Sequence, residues 1–174
     1  MESIQLIHAD ASHATLLAKL AQDTFCETFE KINNPDDFKA YVNEAFNATI
    51  IETELNESGS LYILAYVNNE LAGYARVRQS NEVAENFPGK KTIELQRIYV
   101  LQKFVGKRVG KALMNYCLTT AKDQGAEIIW LGVWEHNYSA QEFYKKLGFE
   151  QFSSHVFMLG TDAQTDILMK LKIN

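Results

Sequence analysis

Residues 93–123, IELQRIYVLQKFVGKRVGKALMNYCLTTAKD, constrain the fold more than any other stretch. An alternating strand runs into a short basic turn and then into an amphipathic helix. Residues 127–133 (EIIWLGV) follow as a near-continuous apolar run, the pattern of a central strand covered on both faces. Strand, helix and strand in that order require a parallel pair with a right-handed crossover. Val109, Ala112, Leu113, Tyr116, Cys117, Thr120 and Ala121 trace one face of the helix, and Lys107, Lys111, Asn115 and Lys122 trace the other. Gly125 stands where such a helix stops.

The turn at residues 103–111 carries four cations and two glycines with no acid. No Ser, Thr, Asp or Asn occupies the N-cap, so the first N–H groups of the helix have no side-chain partner. Free N–H groups, the helix dipole and local positive charge make an anion site, with phosphate the usual occupant. The chain as a whole has a net charge of -5, which disfavours nucleic acid or a membrane surface as the partner and makes the expected anion small. A nucleotide P-loop is excluded, because Ala112 follows Gly110-Lys111 where Ser or Thr is required.

The 174-residue length fits a single domain, residues 1–174, able to bury a core without staples. A hydrophobic share of 47% against 22% charged argues against disorder. The N-terminus shows no basic segment ahead of an apolar run, and no stretch approaches the roughly 18 apolar residues of a membrane span. A cytoplasmic location is expected, with Cys26 and Cys117 reduced and buried. His8, His13, His136 and His155 have no metal-ligand spacing, so no metal is expected.

Ahead of the central unit, the pattern predicts an edge strand at residues 4–8 and a helix over 11–29 behind an Asp10 cap. Asn34-Pro35-Asp36-Asp37 opens another helix, and a third helical piece covers 49–55. Strands at 61–67 and 71–79 join through Asn68-Asn69-Glu70 as a hairpin, and residues 80–91 read as a loop. In the strand at 92–100, alternation puts Glu94, Gln96 and Ile98 on one face and Ile93, Leu95, Arg97 and Tyr99 on the other. A short helix at 138–147 has Ser139 and Glu142 at capping-box spacing and is stopped by Gly148. Segments 149–159 and 165–173, across a Gly160-Thr161-Asp162 turn, close the sheet as an antiparallel pair. Eight acids against two bases lie between Glu27 and Glu57, as a solvated helical face or as an acidic wall for a cationic substrate.

The element order and the basic turn resemble the GCN5-related N-acetyltransferase (GNAT) superfamily over essentially the whole chain. Three pieces carry the resemblance: VGKRVGKALM, IIWLGVWEHN, and Asn137-x-x-Ala140-x-x-x-Tyr144-x-x-x-Gly148-Phe149. The segments TFCETF, NPDDFKAYVNEAF, IELQRIYV, WLGVWEHN and AQEFYKKLGF are similar to the bacterial polyamine (spermidine/spermine) acetyltransferases. One departure stands in the turn, usually Gln/Arg-x-x-Gly-x-Gly/Ala: Val105 takes its first place and Arg108 its middle glycine.

The resemblance implies an α/β (α+β) fold, with a mixed, mostly antiparallel sheet of six or seven strands, a parallel splay of strands four and five, and about four helices. It implies acetyl-CoA as co-substrate and a small-molecule amine, a polyamine above all, as acceptor, with homodimerisation left open. Residues 105–111, that is Val105, Gly106, Lys107, Arg108, Val109, Gly110 and Lys111, would hold the pyrophosphate. Ile98, Tyr99 and Val100 would pair with the pantetheine arm, the Ile98 N–H binding the thioester oxygen. Asn137 would bind the pantetheine, cap the helix, or both. Tyr144 would be the general acid, since a phenol keeps its proton at neutral pH, and Glu94 a base acting through water or an anchor for the cation. No Cys or Ser beside a base offers an acyl-enzyme route, so direct attack in a ternary complex is expected. Acetylation of a protein N-terminus or lysine, and a non-catalytic coenzyme A-binding regulator, are the rival readings.

Overall fold

The structure, a computed structural model, describes residues 3–173. Seven strands form one sheet in the order β1-β2-β3-β4-β5-β7-β6: β1 Ile4–His8, β2 Ser60–Val67, β3 Glu70–Arg78, β4 Thr92–Val100, β5 Ile128–Trp134, β6 Glu150–Leu159 and β7 Asp162–Lys172. Only β4 and β5 run parallel, joined across α4 (Val109–Asp123) as the crossover rule requires. Helices α1 (Ala14–Phe29), α2 (Pro35–Ala45) and α3 (Ala48–Asn56) pack on one face, and α4 and α5 (Tyr138–Lys146) on the other. Five helices thus flank the sheet where about four were expected.

Each face has its own core. Leu113, Met114 and Cys117 of α4 press on Ile93, Leu95 and Ile129, while Leu17, Ala21 and Phe25 of α1 press on Tyr62, Leu64 and Tyr74. Local signals set the ends of the elements. Asn34 accepts from the N–H groups of Asp36 and Asp37 at 3.0 and 3.2 Å with Pro35 in the first turn of α2. Asn68 and Asn69 adopt φ of 50° and 67°, the left-handed pair that a two-residue hairpin needs.

Four expectations are corrected. The helix expected from residue 11 opens as a 3-10 turn, Ala11–His13, capped by Asp10, before α1 begins at Ala14. The cap of α5 is Asn137, which accepts from the Ala140 N–H at 3.2 Å, and not the Ser139 and Glu142 pair. The aperiodic loop at 80–91 contains a 3-10 turn, Ala84–Asn86, and is anchored by Val83, which is buried with Trp130 and Leu168.

The fourth correction matters most for function. Arg76 pairs with Arg97 but Val77 pairs with Leu95, so Gln96 is an extra, bulged residue in β4. Gln96 accepts from Arg76 Nη1 at 2.6 Å and Arg97 Nη1 donates to Glu54 Oε2 at 2.6 Å, so both side chains leave on the α1–α3 face. Strict alternation therefore fails: Glu94 shares its face with Arg97 and Tyr99, and Ile98 joins Leu95 on the α4 face.

The bulge rests on buried charge. Arg76, 1% exposed, is paired with Glu54 at 2.7 Å and Glu57 at 2.5 Å. Tyr62 donates to Glu54 at 2.5 Å and takes a bond from Arg97. These partners hold the Glu54 carboxyl below its ordinary range against the burial that raises it. Two of the eight acids between Glu27 and Glu57 are thus internal counter-ions.

Candidate active site

The parallel pairing of β4 and β5 stops early. It covers Thr92↔Ile128, Ile93↔Ile129 and Glu94↔Trp130, after which the strands separate around a cleft of about 740 Å3. Peptide orientation then decides what the cleft sees. Leu101 N–H donates to Ala72 O at 2.9 Å, so Leu101 and Tyr99 turn their peptides to β3 while Ile98 and Val100 turn theirs to the open edge. Glu135 N–H donates to Thr165 O at 3.0 Å, which by the same parity turns Gly132 of β5 toward the gap. Two unpaired backbone edges face each other there, as an extended amide-bearing ligand requires. Gly73 lets β3 and β4 approach so closely: a Cβ there would lie 2.5 Å from Tyr99 O.

At one end of the cleft lies the basic turn. Gly106 has φ of 85° and Arg108, the N-cap of α4, has φ of 66° with no side-chain cap bond. The N–H groups of Gly106, Arg108, Val109 and Gly110 meet no acceptor among the described residues. Consecutive donors around left-handed residues form a concave nest for an anion. The left-handed φ at Arg108 gives the physical reason for a glycine at that place in the family, and an arginine there costs about 1–2 kcal/mol. Arg108→Gly should therefore leave Tm within a few degrees, the strain relieved being offset by a looser unfolded chain. A phosphate-bearing ligand held by the turn should bind no more than about fivefold more weakly, because the donor N–H stays and one exposed charge is lost. Thermal melts and a binding titration check both.

Tyr144 enters from α5. It is 8% exposed, lines the cleft, and its hydroxyl has no hydrogen-bond partner among the described residues. Burial pushes its phenol above the ordinary value, so it holds its proton at neutral pH. Asn137 lines the same wall, its side chain engaged in capping α5. Glu94 lies across the gap with Oε2 accepting from Arg78 Nε at 2.6 Å. Burial raises the Glu94 carboxyl and the Arg78 bond lowers it, with burial prevailing.

The far end is aromatic and acidic. Phe29 and Trp134 meet at 6.2 Å between ring centres, and Tyr41 and Phe157 at 5.3 Å. Glu82, Glu94 and Asp166 are the carboxylates lining the cleft, with Arg78, Arg97 and His155 beside them. None of the acids between Glu27 and Glu57 does so. Glu27 accepts from the Gln102 N–H at 2.8 Å, Asp37 from the Thr161 N–H at 2.7 Å, and Glu54 and Glu57 serve Arg76 and Arg97. The acidic-wall alternative is overturned.

Of the residues singled out from sequence, Glu94, Ile98, Tyr99 and Val100 meet Asn137 and Tyr144 across this cleft. From the turn, Val105, Gly106, Arg108, Val109, Gly110 and Lys111 line it, and Lys107 does not. Sequence reasoning missed Glu82 and Asp166 and set His155 aside as a weaker candidate base; the three come from an aperiodic loop and two late strands. Asp166, directly ahead of the apolar run Ile167-Leu168-Met169, was their single local signal. Among the described residues no cluster of three metal-ligating side chains occurs, and no helix is long and apolar enough to cross a membrane.

A splayed parallel pair with a phosphate-type nest beside it suits an extended ligand that carries an anion, and comparison with known proteins identifies the class of protein. The model of the acetyltransferase (GNAT) family matches residues 19–149. An uncharacterized N-acetyltransferase from the pepI 3' region of Lactobacillus delbrueckii subsp. lactis is 32% identical over 174 residues, covering 98% of each chain. An uncharacterized N-acetyltransferase of Mycobacterium tuberculosis is 28% identical over 153 residues, 88% of this chain and 93% of that one. The PaiA N-acetyltransferase of Thermoplasma acidophilum, solved with coenzyme A, shares the fold at a TM-score of 0.79 and 21% identity, over 98% and 99% of the two chains. The chain belongs to the GNAT acetyltransferase family, and is an acyltransferase with acetyl-CoA as donor.

Proposed function

We propose that this enzyme moves an acetyl group from acetyl-CoA to a primary amine of a small cationic molecule, a polyamine such as spermidine or spermine, by direct attack in a ternary complex. The observation that carries this reading is one continuous cleft: a backbone anion nest at one end, unpaired strand edges in the middle, and an aromatic pocket with three carboxylates at the other. The nest at 105–111 holds the pyrophosphate through N–H groups, and the edge at Ile98, Tyr99 and Val100 orients the pantetheine. When bound, the donor supplies a thioester carbonyl for attack. The Ile98 N–H faces the gap where that oxygen would lie and stabilises negative charge there. Tyr144 donates its proton to the departing sulfur, and Glu94 receives one from the ammonium through water.

An acyl-enzyme on cysteine fits poorly. Burial pushes the Cys117 thiol up to about 12 inside α4, and the Cys26 thiol is also raised, chiefly by burial. Free thiols at both positions fit a reducing, cytoplasmic setting. The acceptor end holds three carboxylates against Arg78 and a histidine, Arg97 being matched to Glu54, so the field there favours a cation.

Thiol release from acetyl-CoA should be followed with spermidine, spermine, single amino acids and short peptides. Spermidine and spermine are expected to give kcat/KM at least about tenfold above the rest, one charged hydrogen bond being worth that much. Preference for peptides would overturn the acceptor assignment, and coenzyme A binding without transfer to any amine would point to a regulator.

A further inference from the structure

Asp166 stands in the middle of β7 with an 18% exposed side chain on the cleft, and no Lys or Arg pairs with it among the described residues. From β6, His155 Nε2 lies 3.6 Å from Asp166 Oδ2, while its Nδ1 lies 2.7 Å from Glu82 Oε1 of the 80–91 loop. From β3, Arg78 is engaged by Glu94 of β4 at 2.6 Å. From β5, Gly132 faces the carboxylate, where a Cβ would sit 3.4 Å from Oδ2, so the missing side chain leaves that oxygen open to the cleft. Its neighbours Trp130 and Trp134 supply aromatic walls, and Trp130, 1% exposed, has an indole Nε1 with no partner. That N–H cannot bond an ammonium, which has no lone pair, so the contact to a cation falls to the Asp166 carboxylate.

We propose that Asp166 anchors the ammonium of the acceptor, and that His155, held between Asp166 and Glu82, is the positioning residue that aims it. This deepens the acetyl-transfer reading and rests on it. A carboxylate buried without a full counter-ion is costly, and the cost falls when a cation arrives. Burial raises the Asp166 carboxyl while His155 opposes the rise, in keeping with a site completed by positive charge. The flanking rings add attraction for an ammonium that a neutral ligand does not gain. Glu94, with one oxygen committed to Arg78, is left for proton removal. The two carboxylates thus divide the work, Asp166 holding the acceptor and Glu94 taking a proton.

Steady-state kinetics with spermidine test this division. Asp166→Asn should raise KM for spermidine about tenfold or more, with KM for acetyl-CoA within about twofold and kcat little changed, the usual effect of losing a charged hydrogen bond in binding. Glu94→Gln should do the reverse, lowering kcat. His155→Leu should follow Asp166→Asn, with His155→Gln partly rescued because the amide keeps an N–H donor. If Asp166→Asn fails to fold, Gly132→Ala should raise spermidine KM by narrowing the approach to Oδ2. Unchanged spermidine KM in the folded variants, or a fall confined to kcat, overturns the anchor. Calorimetric titration of spermidine into the coenzyme A-bound protein separates this from failure of the functional reading. A wild type that transfers nothing to spermidine refutes that reading, while weaker binding by Asp166→Asn still supports the anchor. Indistinguishable titrations of wild type and variant, including no binding by either, overturn it.

Discussion

Tyr144→Phe is expected to lower kcat by about 10²- to 10⁴-fold, the usual contribution of a positioned acid, with coenzyme A affinity within about twofold. The ring should stay in place, because its contacts are apolar: Phe143 at 5.5 Å and Phe149 at 5.8 Å between centroids. The ring lines the cleft and packs on other rings, so removing its hydroxyl costs little stability. Burial that raises the phenol also keeps it protonated across the working range, so the acid is available without fine tuning. Pre-steady-state mixing separates the chemical step from release. Wild-type turnover in the variant would make Tyr144 a packing residue.

Glu54→Gln is expected to destabilise the fold by about 3–5 kcal/mol, the range for removing one partner of a buried ion pair. At roughly 2–4 °C per kcal/mol for a chain of this size, Tm should fall by about 6–20 °C. The size follows from what is left behind: Arg76 keeps Glu57, but Arg97 loses its carboxylate while stacked over Phe46 at 5.2 Å. Replacing a surface acid such as Glu52 should leave Tm within about 1–2 °C. Equal melting of both variants would mean that water reaches the Arg97 guanidinium.

The fold was largely legible because its decisive signals are local. An uncapped basic turn, an apolar strand after a helix, and Asn-Asn between two strands each fix one connection, whereas the insertion of β7 between β5 and β6 appears only in the structure. The bulge at Gln96 was not legible, because it arises from Arg76 and Arg97 meeting acids on α3, contacts that span 19 to 43 residues. Its cost to the sequence reading was a full half-strand of side chains placed on the wrong face. Most residues proposed for the coenzyme line one cleft because they are adjacent in one turn and one strand, which is why the sequence could group them. The grouping proposed for the acceptor was not legible, since Glu82, His155 and Asp166 meet only after β6 and β7 have folded beside β5. Acidic composition near the N-terminus pointed to the wrong residues for the same reason: charge counts do not reveal which acids are already matched.

The separation of the two cores by the sheet has a consequence for how such a protein can change. The residues proposed for the donor, from the nest to Tyr144, rest on the α4–α5 core, whereas Phe25, Phe29 and Tyr41 of the proposed acceptor pocket rest on α1 and α2. Substitutions in α1, α2 and the 80–91 loop can remodel the acceptor pocket while the machinery for the shared donor keeps its shape. The sheet acts as a bulkhead between the residues proposed for the donor and those proposed for the acceptor, so a changed acceptor pocket need not cost the enzyme its donor.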